Sequence, residues 1–154
     1  MDAHYLDDGT DIDASSLAQE GVRYQSLPTD EAAWRSPIEA LMAREGYLHQ
    51  DEISLRPDTP NLESLCARFV EEHHHSEDEV RFVLEGEGVF DIRSRADRWM
   101  RVTVRPGDLI VVPKERHHRF FLTDNRMIRC VRLFQDRAGW VPHYRPAASV
   151  VPSR

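Results

Sequence analysis

The sequence predicts a mainly β domain, an antiparallel sandwich or barrel preceded by short helices, and three observations predict it. From about residue 63, short runs rich in Val, Ile and Phe follow one another: CARFVEE, EVRFVLEG, GVFDIRS, WMRVTV, DLIVVP, HRFFLT and MIRCVRLF. Turn residues separate most of them. GEG at 86–88 and RPGD at 105–108 are the clearest, each supplying glycine where φ must be positive. Strands this closely spaced in a chain of 154 residues suit one two-sheet domain with a sizeable core.

Residues 1–62 are more polar and carry helical signals. SSLAQEG has the look of a short capped turn ending at Gly21. SPIEALMAREG is expected to form a helix with Ser36 as cap, Pro37 at its first position and Gly46 as its stop. The seven β-like runs follow, and from Pro142 the Pro-rich PHYRPAASVVPSR is expected to wrap the domain or fray. The expected organisation is one domain over 1–154: a helical extension over 1–62 packed on the barrel, a barrel core over 63–141 and a tail over 142–154. No internal repeat or second boundary is visible.

A net charge of −7, spread along the chain, argues against nucleic acid or an anionic membrane surface as partner, since either calls for a basic face. MDAHYLDDGTDID is acidic where a signal peptide is basic and then apolar, and no apolar run nears the roughly 18 residues of a membrane span. A cytoplasmic location is expected. Cys66 and Cys130 sit among apolar neighbours and read as buried reduced thiols. No pattern fixes the oligomeric state, and a monomer or weak homo-oligomer is expected.

The run EEHHHSEDEVRF carries the chemistry. Side chains two apart on a strand share a face, so His73 and His75 can grip one ion while His74 points outward. Glu79 can close from the side, and PKERHHRFF adds His118 as a fourth candidate. Three neutral nitrogens and one carboxylate oxygen suit iron, nickel, manganese, cobalt or zinc better than calcium or magnesium. By the same parity Phe69, Glu71, His73 and His75 face inward together, as do Glu79, Arg81 and Val83. An inward Arg81 has two readings of equal weight: a clamp for an anionic substrate oxygen, or an ion pair with Glu71 or Glu77 that orients the site.

The spacing resembles the two motifs of the cupin superfamily. HxHxxxE is followed by six residues and Gly86; five residues separate Gly107 from Pro113, and four more separate Pro113 from His118. The sequence departs from the pattern at Ala67 and Glu115, where glycine is usual, and at Leu122, where asparagine is common. The resemblance implies a jelly-roll barrel, a double-stranded β-helix, with the ligands in its mouth. It selects His118 over His117, and Phe120 then shares the inward face.

Longer strings narrow the resemblance. YLDD, EEHHHSEDEVRFVLEGEGVFDIR, RVTVRPGDLIVVPKERHHRFFL and VRLFQDRAGWVPHYRP are similar to the acireductone dioxygenase family over nearly the whole chain. The resemblance implies metal ligands at His73, His75, Glu79 and His118, a substrate-orienting Arg81, and aromatic residues beside the substrate at Phe69, Phe120 and Trp140. Each aromatic reads equally well as core.

Four protein ligands on an octahedral ion would leave two adjacent positions for an enediol bound through neighbouring oxygens. Arg81 would then stabilise the remaining negative charge while Phe69, Phe120 and Trp140 exclude water. The resemblance implies one Fe2+ per chain, or Ni2+ as alternative, acting on an enediol and O2 in methionine salvage. With iron the products would be 4-methylthio-2-oxobutanoate and formate; with nickel, 3-methylthiopropanoate, formate and CO. The residues leave other readings open: a closed structural zinc site, another cupin dioxygenase or isomerase, or a cupin sensor that binds metal without turnover.

Overall fold

The computed structural model describes residues 1–136 and 141–146. Its elements in chain order are β1 (Asp2–Tyr5), α1 (Ala14–Gln19), β2 (Arg23–Ser26), α2 (Glu31–Glu45), β3 (His49–Leu55), α3 (Leu62–Val70), β4 (His73–His74), β5 (Glu79–Gly86), β6 (Gly88–Arg93), β7 (Trp99–Val104), β8 (Asp108–Val112), β9 (His118–Leu122), β10 (Ile128–Phe134) and β11 (His143–Tyr144). The strands form two antiparallel sheets, ordered β1-β7-β6-β9-β4-β11 and β2-β8-β5-β10-β3. The mainly β expectation holds.

Two apolar layers explain the arrangement. Phe90, Ile92, Met100, Val102, Ile110, Val112, Phe120 and Ile128 fill the space between the sheets. A second layer joins the outer face of the five-stranded sheet to α2 through Trp34, Ile38, Leu41, Val80, Phe82, Leu84, Val131 and Leu133. β5 is therefore buried on both faces: Val80, Phe82 and Leu84 meet α2, while Glu79, Arg81 and Val83 turn into the barrel, as parity predicts.

α1 ends as expected: Asp13 accepts a hydrogen bond from the Ser16 amide at 2.7 Å, and Gly21 has φ 89°. α2 stops at Gly46, whose φ of 79° is left-handed and whose N–H bonds the Met42 carbonyl. Its start differs from expectation. The helix begins at Glu31, so Ser36 is not the cap and Pro37 lies inside it. An internal proline costs about 3 kcal/mol or more. The extra turn offsets this by burying Trp34 against Phe82, with ring centroids 5.8 Å apart.

Residues 66–70 of CARFVEE are helical, not extended, because they belong to α3. Leu62, Leu65, Cys66 and Phe69 recur at the spacing of one helix face, and that face packs on the barrel core. Phe69 thus reaches the interior from a helix, and Glu71, expected inward, is exposed. The extension expected to be helical also supplies β1, β2 and β3, which pair with β7, β8 and β10. The tail wraps through β11 on β4 as far as described. No helix of the described residues is long and apolar enough to cross a membrane.

Candidate metal centre

Three segments build the centre. The antiparallel pairing of β4 with β9 sets His73 directly opposite His118. His75 follows two residues after His73, and Glu79 opens β5 on the facing sheet. All four side chains are buried, His118 to 1% exposure. One ligand atom from each lies within 4.8 Å of all the others. His118 Nε2 and His75 Nε2 are 2.7 and 3.2 Å from the same Glu79 oxygen, Oε2. The choice of His118 over His117 is that of the structure.

The proton positions decide whether this set fits a metal. Nδ1 of His73 faces the Glu71 carbonyl at 2.6 Å, Nδ1 of His118 the Arg116 carbonyl at 3.0 Å, and Nδ1 of His75 the Val141 carbonyl at 3.3 Å. A carbonyl only accepts, so each Nδ1 donates, and each neutral ring then presents a bare lone pair at Nε2. Lone pairs of two imidazoles and a carboxylate converge with no proton among them, an arrangement that a shared cation relieves. The donors are those of a borderline transition ion. A His-His-Glu-His metal site is present.

The charges agree. Burial pulls His73 down to about 4, which keeps the ring neutral and able to ligate. Burial alone would push Glu79 up, but the Arg81 guanidinium beside it leads the effects that outweigh burial and hold the carboxyl well below its ordinary range. Burial likewise disfavours the Arg81 charge, and Glu79 reverses that effect.

Arg81 donates from Nε to Glu79 Oε1 at 2.8 Å and from Nη1 to Cys130 Sγ at 3.5 Å. Its ion pair is therefore with the ligand carboxylate, not with Glu71 or Glu77. Glu77 instead accepts from the backbone amides of Gln135 and Asp136. The guanidinium also lies 5.2 Å from the Phe120 ring centre.

A cavity of about 190 Å³ opens onto His73, His75, Glu79 and Arg81, walled by Phe69 and Phe120. These rings meet edge to face at 6.1 Å. Trp140 lies outside the described residues. Sequence reasoning missed Arg68, Arg132, Pro142 and Tyr144, which also line this space. Arg132 follows Cys130 by two on β10 and lies opposite Arg81 in register, so strand parity was the signal that pointed to it. A two-point pair with Asp51, at 2.9 and 2.7 Å, holds it. Tyr144 is carried by β11, its ring 5.9 Å from that of His73, and had no local signature.

Comparison with known proteins bears on this geometry. Residues 2–142 match the ARD/ARD' family. The chain is 38% identical to an acireductone dioxygenase of Dictyostelium discoideum over 143 residues, covering 92% of this chain and 97% of that one. With an acireductone dioxygenase of Bacillus cereus the identity is 40% over 148 residues, covering 83% and 87%. A solved acireductone dioxygenase from Bacillus anthracis, with a cadmium ion in its active centre, superposes with a TM-score of 0.88 at 33% identity, over 93% of this chain and 97% of that one. A barrel of the cupin type and a buried three-histidine, one-glutamate centre thus accompany similarity along nearly the full length, and the chain belongs to the acireductone dioxygenase family as a metal-dependent dioxygenase.

Proposed function

We propose that the chain cleaves 1,2-dihydroxy-5-(methylthio)pent-1-en-3-one with O2 in methionine salvage. With iron in the centre the products are 4-methylthio-2-oxobutanoate and formate; with nickel they are 3-methylthiopropanoate, formate and CO. One observation carries the reading: the lone pairs of His75 and His118 converge on Glu79, and His75, Glu79 and the guanidinium of Arg81 line one cavity. When bound, the ion supplies Lewis acidity that lowers the pKa of the enediol and favours the electron-rich anion that meets O2.

The remaining work falls to the chain. Carbonyls of Glu71, Arg116 and Val141 keep three rings aimed at one point, so little reorganisation accompanies binding. Arg81, fixed through Nε and Nη1, holds positive charge beside the place where the enediol oxygens become anionic. Phe69 and Phe120 form an apolar wall that limits water, and Trp140 is assigned the same role.

Metal-stripped protein reconstituted with Fe(II), Ni(II) or Zn(II) and supplied with the acireductone tests the proposal. Oxygen uptake with iron or nickel, different carbon products for the two, and no turnover with zinc are expected. Stoichiometric iron or nickel without oxygen uptake would overturn it.

A further inference from the structure

Three histidines outside the buried centre, His74 on β4, His143 on β11 and His117 just before β9, form a second group on the outer face of the six-stranded sheet. The ring of His117 meets that of His74 edge to face, with centroids 4.9 Å apart, and the ring of His143 stacks on His74 at 5.2 Å with 25° between the planes. Strand register brings them together. His143 lies opposite His74 on the β11–β4 pair, and the His73–His118 pairing sets residues 74 and 117 side by side on the face turned away from the barrel.

His74 Nδ1 and His117 Nε2 stand 3.3 Å apart. Two nitrogens bound to one ion at about 2.1 Å, at tetrahedral or octahedral angles, lie about 3.0–3.4 Å from each other. The pair is therefore already at ligand spacing, close to the 3.2 Å between His75 and Glu79 in the buried centre. Glu115 places a carboxylate oxygen 3.6 Å from His74 Nε2, on the far side of that ring. A small rotation of this exposed side chain makes it the acceptor for Nε2–H, which leaves the lone pair of His74 at Nδ1, facing His117. Arg145, the nearby cation, is tied to Glu72 at 2.8 Å and Asp97 at 3.0 Å, which offsets its charge.

We propose that His74, His117 and His143 form a second, surface site for a divalent transition ion of borderline softness such as Zn(II), Ni(II) or Cu(II). His74 Nδ1 and His117 Nε2 are the preset donors. His143, exposed on a two-residue strand, supplies the third nitrogen by turning its side chain, and Glu115 fixes the tautomer of His74. The site stands apart from the dioxygenase reading, because it shares no ligand with the buried centre.

Protein carrying Ni(II) in the buried centre is dialysed against micromolar Zn(II), and both elements are counted per chain. The parent protein is expected to retain its nickel and take up one zinc. His143→Ala should weaken zinc binding at least tenfold and His117→Ala should abolish it, both with nickel retained. His143→Ala removes only an exposed side chain and keeps the test sound if His117→Ala folds poorly. A parent protein that binds no zinc, zinc that replaces nickel without raising the total, or a zinc affinity unchanged in both variants overturns the proposal.

Discussion

Replacing Arg81 with methionine tests the electrostatic logic of the centre. Arg81 and Glu79 are both buried and 2.8 Å apart. At an effective dielectric constant of about 20, two unit charges at that distance attract by about 6 kcal/mol. The guanidinium's desolvation offsets part of this, and removal of one partner from a buried pair costs about 3–5 kcal/mol. Methionine keeps much of the volume but leaves Glu79 either charged without its partner or forced to bind a proton.

The loss should depend on the metal. A divalent ion held by His73, His75, Glu79 and His118 would compensate the charge of the same carboxylate, so the variant should lose less than half as much when loaded. Urea denaturation of metal-free and metal-loaded forms, parent and variant, measures the four stabilities. Equal losses in the two forms, or a metal-free loss under about 1 kcal/mol, would refute the reasoning.

Three further outcomes are expected. His118→Ala should leave less than one ion per chain and lower turnover by more than about 100-fold, beyond the usual effect of losing a group that only supports a ligand; elemental analysis and oxygen uptake measure both. Gly86→Ala should destabilise by about 2 kcal/mol or more, since Gly86 has φ 74° and an added Cβ would run into the Met127 carbonyl; a urea midpoint equal to that of the parent would contradict this. Burial pushes the Glu72 carboxyl up, but hydrogen bonds from Arg93 and Arg145 outweigh it and hold it below the usual range. A lowered folded value gives stability that is fully present above the unfolded value of about 4.3 and is lost as pH falls through the folded one. The stabilities of the parent and Glu72→Gln should therefore differ at neutral pH and converge as pH falls through the lowered folded value; a difference that does not shrink on acidification would contradict the assignment.

The legible parts of the fold are those with two neighbours. β5–β10 bury residues against strands on either side or between sheets, and their Val, Ile and Phe content follows from that. The strands that were missed, β1, β2, β3 and β11, occupy the four sheet edges. An edge strand pairs on one side only and is commonly polar, and β3 meets β10 partly through charges, with Asp51 and Glu52 bound to Arg132 and Arg129. The start of α2 was hidden because Pro37 imitates a first position, and α3 because its short apolar run suits either period.

The centre was more legible than the fold around it. Three of its four ligands fall within seven consecutive residues, and His118 is fixed by its distance from Gly107 and Pro113. The rest of the cavity was not, because Arg68, Arg132 and Tyr144 arrive from a helix, a distant strand and the tail, and only the folded chain brings them together.

The three imidazoles are steered by main-chain oxygens, and a peptide carbonyl survives every amino-acid replacement. Point changes at Glu71, Arg116 or Val141 can alter the side chains there while the ring orientations persist. Sequence can thus diverge at these three positions without erasing the scaffold that aims the nitrogens.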